Sequence, residues 1–331
     1  KLLDVEKKYI YEDYANRVGE IIIGTVHQVQ RDNVFVNIDQ AELRMPKKEQ
    51  IRSERYRRGD TVRAVIKSVE ITSRGPDIFI SRSDNLFLYK MFEMEVPEIE
   101  DGIIEIKGIA RKPGDRSKII VHSVDKRIDA VGACVGMRGS RIQSVVRELN
   151  NEKIDIVNYT DKSEVFITRA LSPAKPMDLY IDDDRKYCVA IFEEGGLENA
   201  VGRSGVNINL ASKLTGYTID AYTKAEYDEV LVNQKTTLES LEGVEKSVSD
   251  KLVEVASIAS VADYLNAKKY ILSDEVELSA EEIGAVSDAV NNFINKTHNK
   301  ESEAEGEAAD SGSDEASIET VGESVSSEED V

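Results

Sequence analysis

Several residue types that define other classes of protein are scarce in this sequence. Tryptophan is absent, and the only two cysteines, Cys134 and Cys188, lie far apart without a CxxC pair. This scarcity argues against a disulfide scaffold or a zinc ribbon and fits a reducing cytoplasm. No stretch approaches the roughly 18 apolar residues that a membrane helix requires, and residues 1–17 are too charged for a signal peptide. We therefore expect a cytoplasmic protein without a membrane partner.

Motifs for catalysis are missing as well. The three histidines, His27, His122 and His298, have no serine, cysteine or carboxylate partner at a recognisable spacing. No Walker A sequence supports nucleotide hydrolysis. The aspartates at 182–184 resemble a metal triad, but they lie at a predicted hairpin turn, where local hydrogen bonding favours aspartate. We expect a protein that is not an enzyme and needs neither a metal nor a cofactor.

Acidic residues give the chain a net charge of −20, but they are unevenly distributed. Residues 301–331 hold 12 acidic and no basic residues, and residues 230–300 hold 12 acidic and 7 basic residues. The first 229 residues hold 39 acidic and 36 basic residues and are nearly neutral. A nearly neutral region can still present a basic face, so the net charge does not exclude a nucleic-acid partner.

The hydrophobic pattern divides the chain into short domains. A predicted helix at 2–17 precedes a series of β-branched runs separated by turn signals, which favours a small closed barrel. After Ser83 the pattern predicts a helix, two strands, a pair of helices and another strand. After Pro176 two strands, a helical pair and a strand return in the same order. The sequence therefore contains an internal repeat of domain size.

A GxxG sequence lies between the two helices of each copy and is the strongest functional signal. The two sequences are Gly136-Met137-Arg138-Gly139 and Gly202-Arg203-Ser204-Gly205. Because glycine has no Cβ, such a turn can approach a phosphate closely, and the next helix directs its free N–H groups at that phosphate. Arg138 and Arg203 in the loops, and Arg141 one turn further on, can reach phosphate oxygens. A single GxxG is more often a structural turn, but two copies in the same context favour RNA-binding KH domains.

Longer segments around these loops resemble a known family. VGACVGMRGSRIQ at 131–143 and AVGRSGVNINLASKLTGY at 200–217 resemble the first and second KH domains of the NusA transcription termination/antitermination factors, and GEIIIGTVHQVQRDNVFVNI at 19–38 resembles their S1 domain. The resemblance implies a multidomain α+β protein, in which an OB-fold (S1) β-barrel precedes two α/β KH domains of type II. It also implies a monomer whose partners are nascent single-stranded RNA, RNA polymerase and other Nus-type factors. The family's polymerase-docking domain is expected to be represented only by a linker helix at 1–17.

The barrel segment has candidate RNA contacts of its own. Barrels of this class stack bases on exposed aromatic rings beside a basic groove. Phe35 is the expected stacking residue, although it could equally belong to the core, and Asp32 and Asn33 stand where many such barrels have a further aromatic residue. A predicted loop after this strand is rich in basic residues, although a charge run is more often a solvated face. These basic residues are Arg44, Lys47, Lys48, Arg52, Arg55, Arg57 and Arg58, of which we expect Lys47, Lys48 and Arg52 to contact RNA.

The remaining chain is expected to be helical and then disordered. We place the S1 domain at 18–83, the KH domains at 84–172 and 173–231, a helix-hairpin-helix-like region at 232–299, and a disordered acidic tail at 300–331. The tail is predicted to be disordered because it is rich in charge and has no aromatic residue.

These features predict an RNA-binding elongation factor that modulates polymerase pausing, termination and antitermination. An S1/KH RNA-binding protein of ribosome or RNA-decay complexes is the alternative. The enzyme polynucleotide phosphorylase also combines these modules, but it places KH before S1 and carries large catalytic domains upstream, whereas S1 comes first here.

Overall fold

Five strands close into a barrel in the first part of the chain. The computed structural model describes residues 2–39, 41–73, 75–268 and 270–310. Helix α1 (Leu2–Asn16) precedes strands β1 (Ile21–Val29), β2 (Asn33–Ile38), β3 (Ala41–Pro46), β4 (Thr61–Thr72) and β5 (Gly75–Ser81), with a 3-10 turn at Lys47–Glu49. The strands pair in the order β1–β2–β3–β5–β4, and β4 returns to β1. This ring confirms the predicted closed barrel.

The barrel core follows from the alternation of side chains along its strands. In β3, for example, Leu43 and Met45 are fully buried, and Tyr14 of α1 packs onto the same core. Strand β3 also corrects one expectation, because Arg44 lies on this strand and not in a loop. Its alternation covers only three apolar positions before Pro46, which is too short a pattern to be recognised against the charged residues around it.

Two domains of the same topology follow the barrel. The elements of the first are α2 (Asn85–Glu95), α3 (Pro97–Glu100), β6 (Ile104–Lys112), β7 (Arg116–Ser123), α4 (Ala130–Val135), α5 (Ser140–Glu148) and β8 (Lys153–Asn158). Those of the second are α6 (Ser163–Ala170), β9 (Asp178–Asp182), β10 (Tyr187–Phe192), α7 (Glu194–Val201), α8 (Val206–Thr215) and β11 (Thr218–Thr223). In each sheet the first two strands are antiparallel, and the second and third are parallel. The predicted repeat of two α/β KH domains is therefore confirmed, while α6 was not predicted.

The two repeats pack directly on each other. Val206 and Leu210 of α8 form a small buried cluster with Ala110 of β6. Lys118 of β7 is fully buried, and its Nζ donates to Asp155 Oδ2 at 2.9 Å and to the Ser172 carbonyl at 2.7 Å. Burial lowers the pKa of this ammonium. A buried cation therefore ties the first repeat to the segment that leads into the second.

The described residues from 225 to 310 form a second compact unit. Its helices are α9 (Lys224–Lys235), α10 (Lys246–Ala256), α11 (Val261–Asn266) and α12 (Ala280–Asp310), with a 3-10 turn at Leu238–Ser240 and a π-helical turn at Ile271–Glu275. Its core includes Leu238, Leu252 and Val286. Helix α12 continues to Asp310, so residues 300–310 of the predicted disordered tail are helical, because alanine and glutamate are strong helix formers. The rest of that predicted tail, residues 311–331, lies outside the described residues.

A buried arginine joins the barrel to the first repeat. Arg82 Nε and Nη2 donate to the two carboxylate oxygens of Glu54 at 2.8 and 2.6 Å. Its Nη1 donates to Glu148 Oε1 at 2.9 Å, and Nη2 donates to the Glu148 carbonyl at 2.7 Å. Glu54 follows the barrel's 3-10 turn, whereas Glu148 ends α5, so one guanidinium fixes the orientation of two domains.

This joint predicts a large loss of stability on substitution. Arg82→Met leaves the Glu54 carboxylate, which is only 11% exposed, with the Tyr56 hydroxyl but without its cationic partner. Breaking a buried pair in this way costs about 3–5 kcal/mol. Urea unfolding should report that loss, whereas the control Arg127→Met, which removes a guanidinium 89% exposed, should leave the midpoint unchanged. Equal midpoints for both variants would contradict the structural role of Arg82.

Candidate nucleic-acid interface

The two GxxG loops have nearly the same backbone conformation. In the first loop, φ is +75° at Gly136, +52° at Arg138 and +76° at Gly139. In the second loop, the matching angles are +69°, +54° and +72°, at residues 202, 204 and 205. Residues other than glycine rarely adopt a positive φ. The same three positive φ angles in two separate domains therefore reflect a specific requirement on the backbone of the loop.

Both loops project from the surface and lead straight into a helix. Met137 is 88% exposed, and the neighbouring Arg138 is also exposed. In the second loop Arg203 and Ser204 are exposed as well. Since Gly139 and Gly205 are the N-cap residues of α5 and α8, no N-cap side chain occupies the first amides of either helix. The amides of Ser140 and Val206 donate to the loop carbonyls of Met137 and Arg203. Each loop therefore offers the positive dipole end and the amides that follow in the first helical turn to an anion.

Arg141 differs from its neighbours in the predicted site. Its Nη1 donates to the Ala133 carbonyl at 2.7 Å and pairs with Glu98 Oε2 at 3.0 Å. The guanidinium thus has internal partners on α4 and α3 and does not extend freely from the loop. Direct contact between Arg141 and RNA stays a prediction.

Three neighbouring side chains with flat groups, Phe35, Arg44 and Phe79, form a row on the outer face of the barrel. Phe35 is half-buried and lies on β2 between the buried Val34 and Val36, so it faces outward. It pairs across the strands with Arg44, which in turn pairs with Phe79 of β5. The Arg44 guanidinium lies 4.5 Å from the centroid of the Phe79 ring.

Sequence reasoning missed Phe79 and the place of Arg44 in this row. The signal was present, because Ile78 and Ile80 are buried and the residue between them must point outward. Only the parallel pairing of β3 with β5, which joins distant segments, brings this second ring beside Arg44. The row supplies two aromatic rings and one cation, groups on which single-stranded nucleic acids stack, although the Arg44 guanidinium already pairs with Asp77.

The basic residues after β3 are exposed and have no carboxylate partner within the part of the chain that the structure describes. Lys47 and Lys48 lie on the exposed side of the 3-10 turn, whereas Glu49 of the same turn is buried and pairs with Lys67 at 2.9 Å. Arg52 follows on the surface. These three predicted site residues are therefore placed together and are available to an anionic ligand.

The β6–β7 turn of the first KH domain contacts both the second GxxG loop and the barrel domain. Asp115 in this turn pairs with Lys112 at 2.9 Å, and its Oδ2 lies 3.6 Å from Arg203 Nη2 in the second GxxG loop. The hydrogen bond from Lys112 holds the pKa of the Asp115 carboxyl below its ordinary value. At Gly114 the turn packs so closely that a Cβ would come within 2.8 Å of Ser53 Oγ, next to Arg52.

Asp115 is therefore an internal competitor for the cation of the second loop. Asp115→Asn should raise affinity for single-stranded RNA roughly two- to fivefold at low salt, the scale of an exposed ion pair. The gain should vanish at high salt, because screening weakens exposed pairs. Asp125→Asn is the matched control, since it removes one partly exposed carboxylate that pairs with Arg127 and not with a loop cation. An equal gain in both variants would show that only net charge matters.

Other residues considered from the sequence have structural roles. Burial raises the pKa of Cys134 to about 12 and of Cys188 to about 11, so both stay protonated thiols. Asp182 Oδ1 accepts from the backbone amides of Asp184 and Arg185, which confirms the turn interpretation. Among the described residues, no cluster of histidine, cysteine and carboxylate side chains could hold a metal ion. His27 is exposed, and the side chain of His298 lies outside the described residues.

The fold and these surfaces define the class of the protein as an S1 barrel joined to two KH domains, which are RNA-binding modules. Residues 16–81 match the model of the S1 RNA binding domain, residues 82–159 that of the NusA-like first KH domain, and residues 163–229 that of the NusA-like second KH domain. The described residues contain no helix that is both long and apolar enough to span a membrane.

Curated relatives identify the family. The chain is 40% identical over 230 residues to the transcription termination/antitermination protein NusA of Halalkalibacterium halodurans, a match that covers 70% of this chain and 60% of the relative. It is 38% identical to NusA of Bacillus subtilis over 70% of this chain and 62% of the relative. For NusA of Rickettsia conorii the identity is 38%, over 79% of this chain and 53% of the relative. The chain belongs to the NusA family, and it spans little more than half the length of these relatives.

Proposed function

We propose that this chain is an RNA-binding transcription elongation factor. It binds nascent single-stranded RNA through its S1 and KH domains and modulates RNA polymerase pausing, termination and antitermination. The observation that carries the proposal is the pair of exposed GxxG loops with matching left-handed backbones, each at the start of a helix. The names of the relatives support the link to termination and antitermination.

Recognition by the KH domains rests mainly on the backbone. A KH loop clamps about four nucleotides, and the phosphate approaches the glycines where no Cβ intervenes. The N–H groups at the starts of α5 and α8 then donate to its oxygens, and the exposed Arg138 and Arg203 add charge. RNA is held and no bond is made or broken, so the proposal includes neither an enzymatic step nor a cofactor.

The S1 barrel adds contacts of a different kind. Phe35, Arg44 and Phe79 offer flat groups for base stacking, which tolerates any sequence because every base has a π-face. Lys47, Lys48 and Arg52 supply charge for the backbone of the same strand. In this proposal the three domains act as one platform in a cytoplasmic monomer, with RNA polymerase and other Nus-type factors as protein partners.

An S1/KH protein of the ribosome or of an RNA-decay complex is the rival function. The order S1–KH–KH and the two NusA-like KH matches favour the polymerase. Affinity capture from a bacterial lysate treated with nuclease separates the two, because recovery of polymerase subunits supports the proposal and recovery of ribosomal proteins alone contradicts it.

The loops can be tested by reversing their charge. Replacing Met137 and Arg138, or Arg203 and Ser204, with two aspartates should abolish RNA binding at that KH domain, because carboxylates would occupy the phosphate position. Each position is exposed, so thermal unfolding should not change. Affinity for single-stranded RNA and the melting curve are measured on the same samples. Unchanged affinity in both double variants would end the KH proposal.

Salt dependence measures how many phosphates are bound. The logarithm of the association constant should fall with the logarithm of salt concentration by about 0.7 per phosphate contact for single strands. Two KH loops and the S1 surface together should make roughly four to six contacts, which predicts a slope of about −3 to −4. Fluorescence titrations over a series of salt concentrations give this slope. A flat response would mean that base stacking, and not phosphate binding, dominates.

A further inference from the structure

One position in each KH domain has the same unusual environment. It is the fifth residue after the first glycine of the loop, Arg141 in the first domain and Asn207 in the second. The two side chains differ in size and charge, yet each contacts the loop's first glycine and donates to the helix that precedes the loop.

Asn207 is fully buried beneath the second loop. Its Nδ2 lies within hydrogen-bond distance of three carbonyls, at 3.0 Å from Leu171, 3.2 Å from Asn199 and 3.0 Å from Ala200. A Cβ on Gly202 would come within 2.9 Å of the Asn207 Cβ, so only glycine leaves room for this arrangement. Because the side chain has no exposed surface, it cannot touch RNA.

Arg141 makes the equivalent contacts with a longer side chain. Its Nη1 donates to the Ala133 carbonyl at 2.7 Å, and Glu98 holds the same nitrogen at 3.0 Å from Oε2. Its stem covers Gly136, where a Cβ would come within 2.8 Å of Arg141 Cγ. Ala133 and Asn199 each lie three residues before the first glycine, so both side chains bind the corresponding carbonyl.

That carbonyl belongs to the last turn of α4 or α7, where no later helical amide is present to donate a hydrogen bond to it. The side chain supplies the missing donor and joins the end of one helix to the start of the next across the loop. In both loops a backbone hydrogen bond closes the turn. The Gly139 amide donates to the Gly136 carbonyl, and the Gly205 amide donates to the Gly202 carbonyl, each at 3.1 Å.

We propose that Arg141 and Asn207 are positioning residues, which hold the GxxG loops in their RNA-ready conformation without contacting RNA. The benefit is preorganisation, because a loop already in its bound conformation loses less conformational entropy on binding. This inference rests on the proposed function for its effect on affinity, but not for its effect on the free protein. In this inference Arg141 holds the loop conformation and does not bind phosphate.

The test uses the full chain with Arg141→Met and Asn207→Leu, which keep the side-chain volume and remove the donors. In the free protein, NMR hydrogen exchange at Gly139 and Gly205 respectively should accelerate about tenfold, the scale of one lost buried hydrogen bond. RNA affinity should fall roughly five- to tenfold. The salt slope should stay unchanged, since no phosphate contact is removed. Arg141→Lys should restore both readouts in part, because an ammonium can still reach Ala133 and Glu98.

Arg147→Met is the matched control, since it removes an exposed guanidinium from the same helix without touching the loop. It should leave the exchange of Gly139 unchanged. A phosphate ligand at position 141 would behave differently: Arg141→Met would lower the slope by about 0.7 and leave exchange as in the wild type. That result would overturn the inference, as would faster exchange without loss of affinity in both variants.

Two further outcomes are separable. If the double-aspartate loop variants bind RNA normally, the proposed function fails. The hydrogen-exchange rates of Gly139 and Gly205 still test whether Arg141 and Asn207 hold the loops. If Asn207→Leu proves unfolded in its melting curve, the three Arg141 and Arg147 variants decide the inference by themselves.

Discussion

The buried guanidinium of Arg82 is the constraint on which the RNA-binding surface depends. Removing such a group from water costs several kcal/mol unless every donor is satisfied, and few arrangements of the neighbouring domains can satisfy it. Glu54 from the barrel and Glu148 from α5 meet that condition together. Arg111 with Glu152, both fully buried, and Lys118 with the Ser172 carbonyl repeat the principle further along the chain. Buried cations therefore set the spacing of the elements that could hold RNA within residues 1–224.

On that frame the two KH loops share their backbone but not their charge. The cation is the third loop residue in the first domain, Arg138, and the second loop residue in the second domain, Arg203. Since φ angles at matching positions differ by only a few degrees, the two loops carry their cations at different positions of the same backbone path. If both loops bind phosphate as proposed, the backbone contributes equally at the two sites and the side chains distinguish them.

Charge is separated along the chain in a way that the overall composition conceals. Excess acid lies behind residue 229, whereas Lys47, Lys48 and Arg52 of the S1 surface have no partner among the described carboxylates. Other cations near the predicted sites are paired, Arg44 with Asp77 in the barrel and Lys112 and Arg203 with Asp115 at the second loop. Local pairing, and not net charge, therefore decides which cations remain available to RNA.

Local patterns in the sequence determined the barrel, the repeated KH topology and the GxxG loops, because alternation, turn residues and glycine act over a few neighbouring positions. The short strand β3, helix α6 and the helical residues 300–310 were not recognised, since their patterns are brief or masked by charge. Only the tertiary structure decided which cations are free. It directed Arg141 inward to Ala133, buried Asn207 beneath its loop and brought Phe79 beside Arg44, because each contact joins segments whose meeting depends on packing and not on local preference.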